Sequence, residues 1–261
     1  MIAERPRVPG AAARARSDDA SHALKLKQLE EQIRQIRGSV VCGLNQLLDL
    51  KDINTGCHCT RLAEWAVRVG EELGLDAGYQ HNIEVACLLH DVGKIGVPDA
   101  ILRKAGPLTA QERVVMNRHP EYGWAILRLF PGLERAGLFA LHHHERFEGG
   151  GYPAGLRGEG IPLGARIVTV VDAFDAMVSD RCYRKGLGLS EAIRRLQAGS
   201  GTQFDPDIVR SFVHLAQEHL SDVSRIVEPQ DSAPQAPAEA RSSFLVEVGT
   251  RGASRPGLRA S

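Results

Sequence analysis

The run ACLLHDVGKIGVPD (86–99) decides the reading of this chain, together with HHERFEGGGYPAGLRGEGIPL (143–163) further on. The first places an adjacent His90-Asp91 pair at the end of an apolar segment. The second opens on His143-His144-Glu145 and continues into a Gly151-Tyr152-Pro153 turn. Packing alone does not require an acidic residue beside a histidine, followed at a distance by paired histidines. Imidazole and carboxylate together suit divalent metals, and such metals lower the pKa of bound water so that hydroxide is available near neutral pH.

Outward from these two stretches the pattern is helical. TRLAEWAVRVGEELGL is amphipathic and stops at Gly74. HNIEVACLLHDVGK carries the His-Asp pair at its C-terminal end. TAQERVVMNRHPEYGWAILRLF reads as a helix with Thr109 as N-cap and Glu112 three residues later, a capping box. ERAGLFALHHHE ends in the histidine cluster. GARIVTVVDAFDAMVSD is apolar enough to be buried, which makes Asp172 and Asp175 conspicuous. SEAIRRLQAG and PDIVRSFVHLAQEHL follow, and strand patterns are scarce. The expected fold class is all-α, with the compact domain over 51–220.

Residues 1–22 are rich in Ala, Arg, Pro and Ser and are expected to be a disordered arm. Over 23–50, Leu26, Leu29, Ile33, Ile36, Val40, Leu44 and Leu47 recur at steps of three and four, which predicts an amphipathic helix. The stripe suits either a helix packed on its own domain or a dimerising one; Gly38 and Gly43 weaken a continuous coiled coil. From 221 to 261 the tail is expected to be mostly disordered, apart from a short apolar SFLVEV.

Composition excludes several classes. The 261 residues are 43% hydrophobic and 25% charged, and 32 Lys+Arg balance 32 Asp+Glu. Zero net charge gives no argument for DNA binding, so an anionic ligand must be held by local cations or metals. No apolar run is long enough for membrane insertion. The five cysteines show no disulfide framework, which fits a reducing cytoplasm. Cys57 and Cys59 flank His58 and point away from it on a helix. No internal repeat and no Gly-rich nucleotide loop is present.

The candidate metal ligands are His58, His90, Asp91, His119, His143, His144 and Asp172, drawn from several predicted helices whose convergence would build a centre. His22, His81, His142, His214 and His219 read as surface or satisfied core residues. HDVGKIGVPDAILRKAGPLT, NRHPEYG, HHE with GGGYPAGL, ARIVTVVDAFDAMVSDRCYR and the segment FDPDIV together resemble the HD-GYP family, bacterial cyclic di-GMP hydrolases within the HD phosphohydrolase superfamily. The resemblance covers roughly residues 40–220. It implies an HD-type helical bundle, here with an N-terminal amphipathic helix, and a centre of two divalent metal ions, iron or manganese. By the family pattern His58, His90, Asp91 and Asp172 hold one ion, with Asp91 bridging, and His119, His143 and His144 hold the second. Lys94 matches a lysine that meets the scissile phosphate, and Arg181 and Arg184 match cations that contact phosphate. Tyr152 belongs to the namesake turn, which shapes the site and is tied to partner contacts.

The chain departs from the pattern at Glu148, where relatives carry aspartate, at Cys182, where they carry proline, and at Val178, where many carry a small hydroxyl residue. None of these removes a ligand. The position of an extra glutamate that helps some members hold a third metal is Asn54 here, which implies two ions. The resemblance implies a phosphodiesterase converting cyclic di-GMP to pGpG, and on to GMP in a second step, while the apolar stripe over 23–50 predicts a homodimer. The alternative is a low-activity signalling module that binds cyclic di-GMP or a diguanylate cyclase through the GYP loop.

Overall fold

The structure, a computed structural model, describes residues 11–51, 56–180 and 185–218. Asp52, Asn54, Arg181, Cys182, Arg184, His219 and the tail lie outside the described residues. Among those described there is no strand, only an isolated bridge between Ser200 and Phe204. No described helix is long and apolar enough to cross a membrane.

Helix α1 spans Ala11–Lys51, so it begins well before the expected start at residue 23 and takes in part of the expected disordered arm. Ala11, Ala12, Ala13 and Ala15 are strong helix formers, and extending an existing helix avoids the nucleation cost. The chain divides into two compact units between Gly38 and Ser39, within α1. In the first unit Leu26, Leu29, Ile33 and Ile36 are exposed, Leu29 and Ile33 by 48% and Ile36 by 64%. In the second, Val40 and Leu44 pack against the core beside the buried Val41 and Leu48, while Leu47 is 54% exposed. The apolar stripe thus has two fates that periodicity does not distinguish.

The second unit is the helical domain. Beyond α1 it contains α2 (Gly56–Glu72), α3 (Ala77–Leu89), α4 (Asp99–Leu102), α5 (Ala110–Met116), α6 (His119–Leu127), α7 (Glu134–Leu141), α8 (Leu163–Val178), α9 (Leu189–Ala198) and α10 (Pro206–Glu218). Helix α8 is the central element, packing on α2, α3, α7, α9 and α10. It is buried nearly all round, through Ile167, Val168, Val170, Val171 and Phe174. Trp65 of α2 and Phe174 of α8 meet Phe212 of α10, with ring centroids 5.3 and 4.7 Å away.

Thr109 caps α5 with the expected capping box, its side chain accepting from Glu112 N–H while Glu112 accepts from Thr109 N–H. The helix expected to continue from there breaks at Asn117-Arg118, and α6 begins at His119. Pro120 is the cause. It has no N–H to offer the carbonyl four residues back, that of Met116, and its ring would clash with that carbonyl. Gly93, in the 3₁₀ turn Val92–Gly96 after α3, lies against α6. A Cβ there would sit 1.8 Å from the His119 carbonyl oxygen, so only glycine permits the approach.

Candidate metal centre

Three candidate ligands stand just past or beside a broken helix end. His90 follows α3, His119 follows α5, and His143 follows α7. The last carbonyls of a helix have no intrahelical partner, and each imidazole supplies one. His90 Nδ1 lies 2.8 Å from the Cys87 carbonyl oxygen, His119 Nδ1 2.9 Å from that of Met116, and His143 Nδ1 2.6 Å from that of Ala140. A carbonyl only accepts, so Nδ1 carries a proton in each ring and Nε2 is the nitrogen left to face the site. The Met116 oxygen is the one that Pro120 leaves unpaired. Three helix C-termini, the negative ends of their dipoles, therefore converge on one place, which favours a cation there.

His58 reaches the site from the first turn of α2, and Asp172 from α8. His58 Nε2 lies 3.2 Å from Asp172 Oδ1, and its Nδ1 contacts Asp175 Oδ2. Asp91 is central: its Oδ1 is 3.2 Å from His119 Nε2, and its Oδ2 is 3.4 Å from His90 Nε2 and 2.7 Å from Lys94 Nζ. The His143 and His144 rings lie 3.9 Å apart, and Tyr152 stacks on His144 at 4.7 Å.

The donor atoms form three interlocking groups: His119, His143 and His144; His58, His90 and Asp172; His90, Asp91 and His143. Within each, one ligand atom per residue lies within 4.8 Å of the others. All seven sequence candidates are in this assembly. The donor set suits a divalent cation. His143 Nε2 is buried with no partner, and His119 Nε2 is buried near Asp91 without hydrogen-bond geometry. Lone pairs left without donors in a buried site are what a cation would satisfy.

The charges agree. Burial opposes ionisation of Asp91, but Lys94 and then His90 hold its carboxyl well below the usual range. Asp172 is likewise low, burial being outweighed by His58 and His90. Burial also disfavours charge on His58, yet its hydrogen bonds to Asp172 and Asp175 push its pKa up to about 9. Burial, and then His119, push His144 down to about 4. Burial pushes the Tyr152 phenol up to about 12.

Several contributors were not singled out as site residues from the sequence. Thr169 donates to the His143 carbonyl at 2.7 Å, fixing α8 to the histidine pair. Glu145 is buried, and its Oε1 accepts from Ala154 N–H at 2.7 Å, tying the Gly151-Tyr152-Pro153 turn to the histidine segment. The Glu of the HHE run was a visible signal for it. Glu148, the first departure from the family pattern, pairs with Arg146 at 2.5 Å on the surface. Val178 is buried in the core. Cys59 is buried, and burial pushes its thiol far up.

These helices deliver histidines and carboxylates to one place, where they could hold a metal ion. The family model described as HD domain matches residues 42–208. The chain belongs to the HD domain family, and its motifs resemble the HD-GYP group within it. A cyclic di-GMP phosphodiesterase of Thermotoga maritima is 40% identical over 192 residues, covering 73% of this chain and 52% of the relative. A cyclic di-GMP phosphodiesterase response regulator of Xanthomonas campestris pv. campestris is 40% identical over 186 residues, covering 70% and 48%. The chain thus spans about half the length of these relatives. A crystal structure of a cyclic GMP-AMP specific phosphodiesterase of Vibrio cholerae shares the fold, with a TM-score of 0.53 at 22% identity, covering 73% of this chain and 52% of that one.

Proposed function

We propose that this chain is a metal-dependent phosphodiesterase that opens cyclic di-GMP to pGpG. The observation that carries the reading is the interlocked set of seven donor residues, all supplied by one domain. His58, His90 and Asp172 would hold one ion and His119, His143 and His144 the other, with Asp91 shared because a carboxylate has two acceptor oxygens. Iron or manganese is the proposed metal. When bound, the pair supplies an activated water and neutralises a phosphodiester oxygen.

The chain's own residues do the rest. Lys94, held by Asp91 at 2.7 Å, presents a cation where a phosphate would approach the centre. Tyr152, stacked on His144, gives the rim an aromatic wall. Arg181 and Arg184, outside the described residues, are proposed as further phosphate contacts. The His90, His119 and His143 rings are held in one orientation by carbonyls, so they need not reorganise during the reaction. The GYP turn is proposed to dock diguanylate cyclase proteins, and the exposed stripe of α1 to pair two copies. Cys42, Cys59 and Cys87 are free thiols, in keeping with a cytoplasmic location.

The test is direct. Protein purified anaerobically and loaded with Fe(II) or Mn(II) is incubated with cyclic di-GMP and, separately, with 3′3′-cyclic GMP-AMP, and products are resolved by chromatography. The expected outcome is pGpG as the main early product. Cleavage of cyclic GMP-AMP alone would reassign the substrate, and metal-loaded protein that cleaves neither would sink the enzyme reading.

A further inference from the structure

His58 is supported differently from His90, His119 and His143. Those three lean on neutral carbonyl oxygens. His58 leans on a buried carboxylate, that of Asp175, which is only 4% exposed. Asp175 lies three residues after Asp172 on α8, and Arg61 lies three after His58 on α2. The two helices therefore face each other through a ladder of side chains.

The ladder fixes the protons. Asp175 Oδ1 accepts from Arg61 Nε at 2.8 Å, and Oδ2 accepts from Arg61 Nη2 at 3.0 Å and from Ser179 Oγ at 3.0 Å. Arg61 Nη2 also donates to Ser179 Oγ at 2.8 Å, which directs the serine proton toward Asp175. A carboxylate met by a bidentate guanidinium and a hydroxyl donor is an acceptor only. His58 Nδ1 must then be the donor of the contact to Asp175, and Nε2 is the nitrogen turned toward Asp172, 3.2 Å away.

We propose that Asp175, itself held by Arg61 and Ser179, is a positioning residue that locks His58 with its proton on Nδ1 and strengthens Nε2 as a metal donor. This rests on the metal-centre reading above. Its consequence is that the two halves of the centre are unequal. A carboxylate behind an imidazole raises its basicity more than a carbonyl does. The half containing His58 therefore depends on a partner in the outer layer that the His119, His143 and His144 half lacks.

The experiment is a Zn(II) titration, against a competing chelator, of the full chain stripped of metal, in wild-type and Asp175→Asn forms. Asparagine keeps the shape but can turn an N–H₂ toward His58, which removes the acceptor. Wild-type protein is expected to take two ions. Asp175→Asn should bind one of them about ten- to a hundredfold more weakly and leave the other unchanged. Two ions bound with unaltered affinities in the variant overturn the proposal and leave the metal centre standing; wild-type protein that takes none overturns the metal centre as well. A second measurement needs no substitution. In ¹H–¹⁵N spectra of the Zn(II)-loaded wild type, His58 should carry its ring proton on Nδ1, downfield of those of His90, His119 and His143. Zinc bound through Nδ1 of His58 would also overturn the assignment.

Discussion

Asp91 touches more of the centre than any other side chain, lying within 3.4 Å of His90 Nε2, His119 Nε2 and Lys94 Nζ. Asp91→Ala is expected to abolish turnover and lower metal content, as elemental analysis and the cyclic di-GMP assay would show. Wild-type activity in a folded variant would refute the shared-ligand role. Lys94→Ala should keep the metal and weaken substrate handling. A charge-assisted phosphate contact is worth roughly 1.5–3 kcal/mol, or about ten- to a hundredfold in kcat/KM. Loss of bound metal instead would show that Lys94 is misplaced. His58 gives a pH signature in chelator-treated protein. Its pKa rises from 6.5 unfolded to about 9 folded. A raised pKa stabilises fully below pH 6.5, and the benefit fades as pH rises through 9. Thermal melts should therefore show a loss of up to about 3 kcal/mol between pH 6.5 and 9, absent in His58→Ala. At this scale the sequence was legible for identity more than for role. The spacing of Asp172 and Asp175 put both on one face of α8. Only the packing of α2 shows that one faces the donor cluster and the other sits behind His58.

At the scale of elements, periodicity found most helices and missed two boundaries. Pro120 was in plain view as a breaker, but the apolar pattern on either side of it ran on. Where α1 starts was masked by a composition common to disordered arms and to helices. The stripe on α1 read as one surface because its spacing is uniform, whereas only Val40 and Leu44 pack on the core and the members before Gly38, like Leu47, are exposed. This decides how dimerisation should be tested. A chain cut at Lys51 would lose Leu48, which is fully buried, and Val41. It would also lose the Leu50 and Lys51 carbonyls that Arg103 caps. Double substitution of Ile33 and Ile36 by Glu leaves that packing intact. Light scattering is expected to show a dimer for the wild type and a monomer for this variant; equal masses would make the stripe irrelevant to assembly. Gly93→Ala should disturb the site from outside it, because the added methyl meets the backbone that carries His119. A fall in metal content alongside a lower melting temperature is the expected result.

For the whole molecule, the fold class could be read from motifs, and the seven candidate ligands they single out lie together because the chemistry constrains residue type and order. The number of ions is less exposed to such reading. Asn54 stands where a third-metal glutamate would be, and an amide is a weaker, neutral donor. Two ions are therefore expected, and anomalous diffraction at the metal edge would count them; three full peaks within the histidine cluster would contradict this. The helix ends described above also carry a consequence for how such a chain can vary. Each of His90, His119 and His143 closes the helix that precedes it. One residue inserted into α3, α5 or α7 would swing the following imidazole about 100° around the helix axis and leave a carbonyl uncapped. Such an insertion is expected to lower metal content, so the helices before the three histidines behave as rulers.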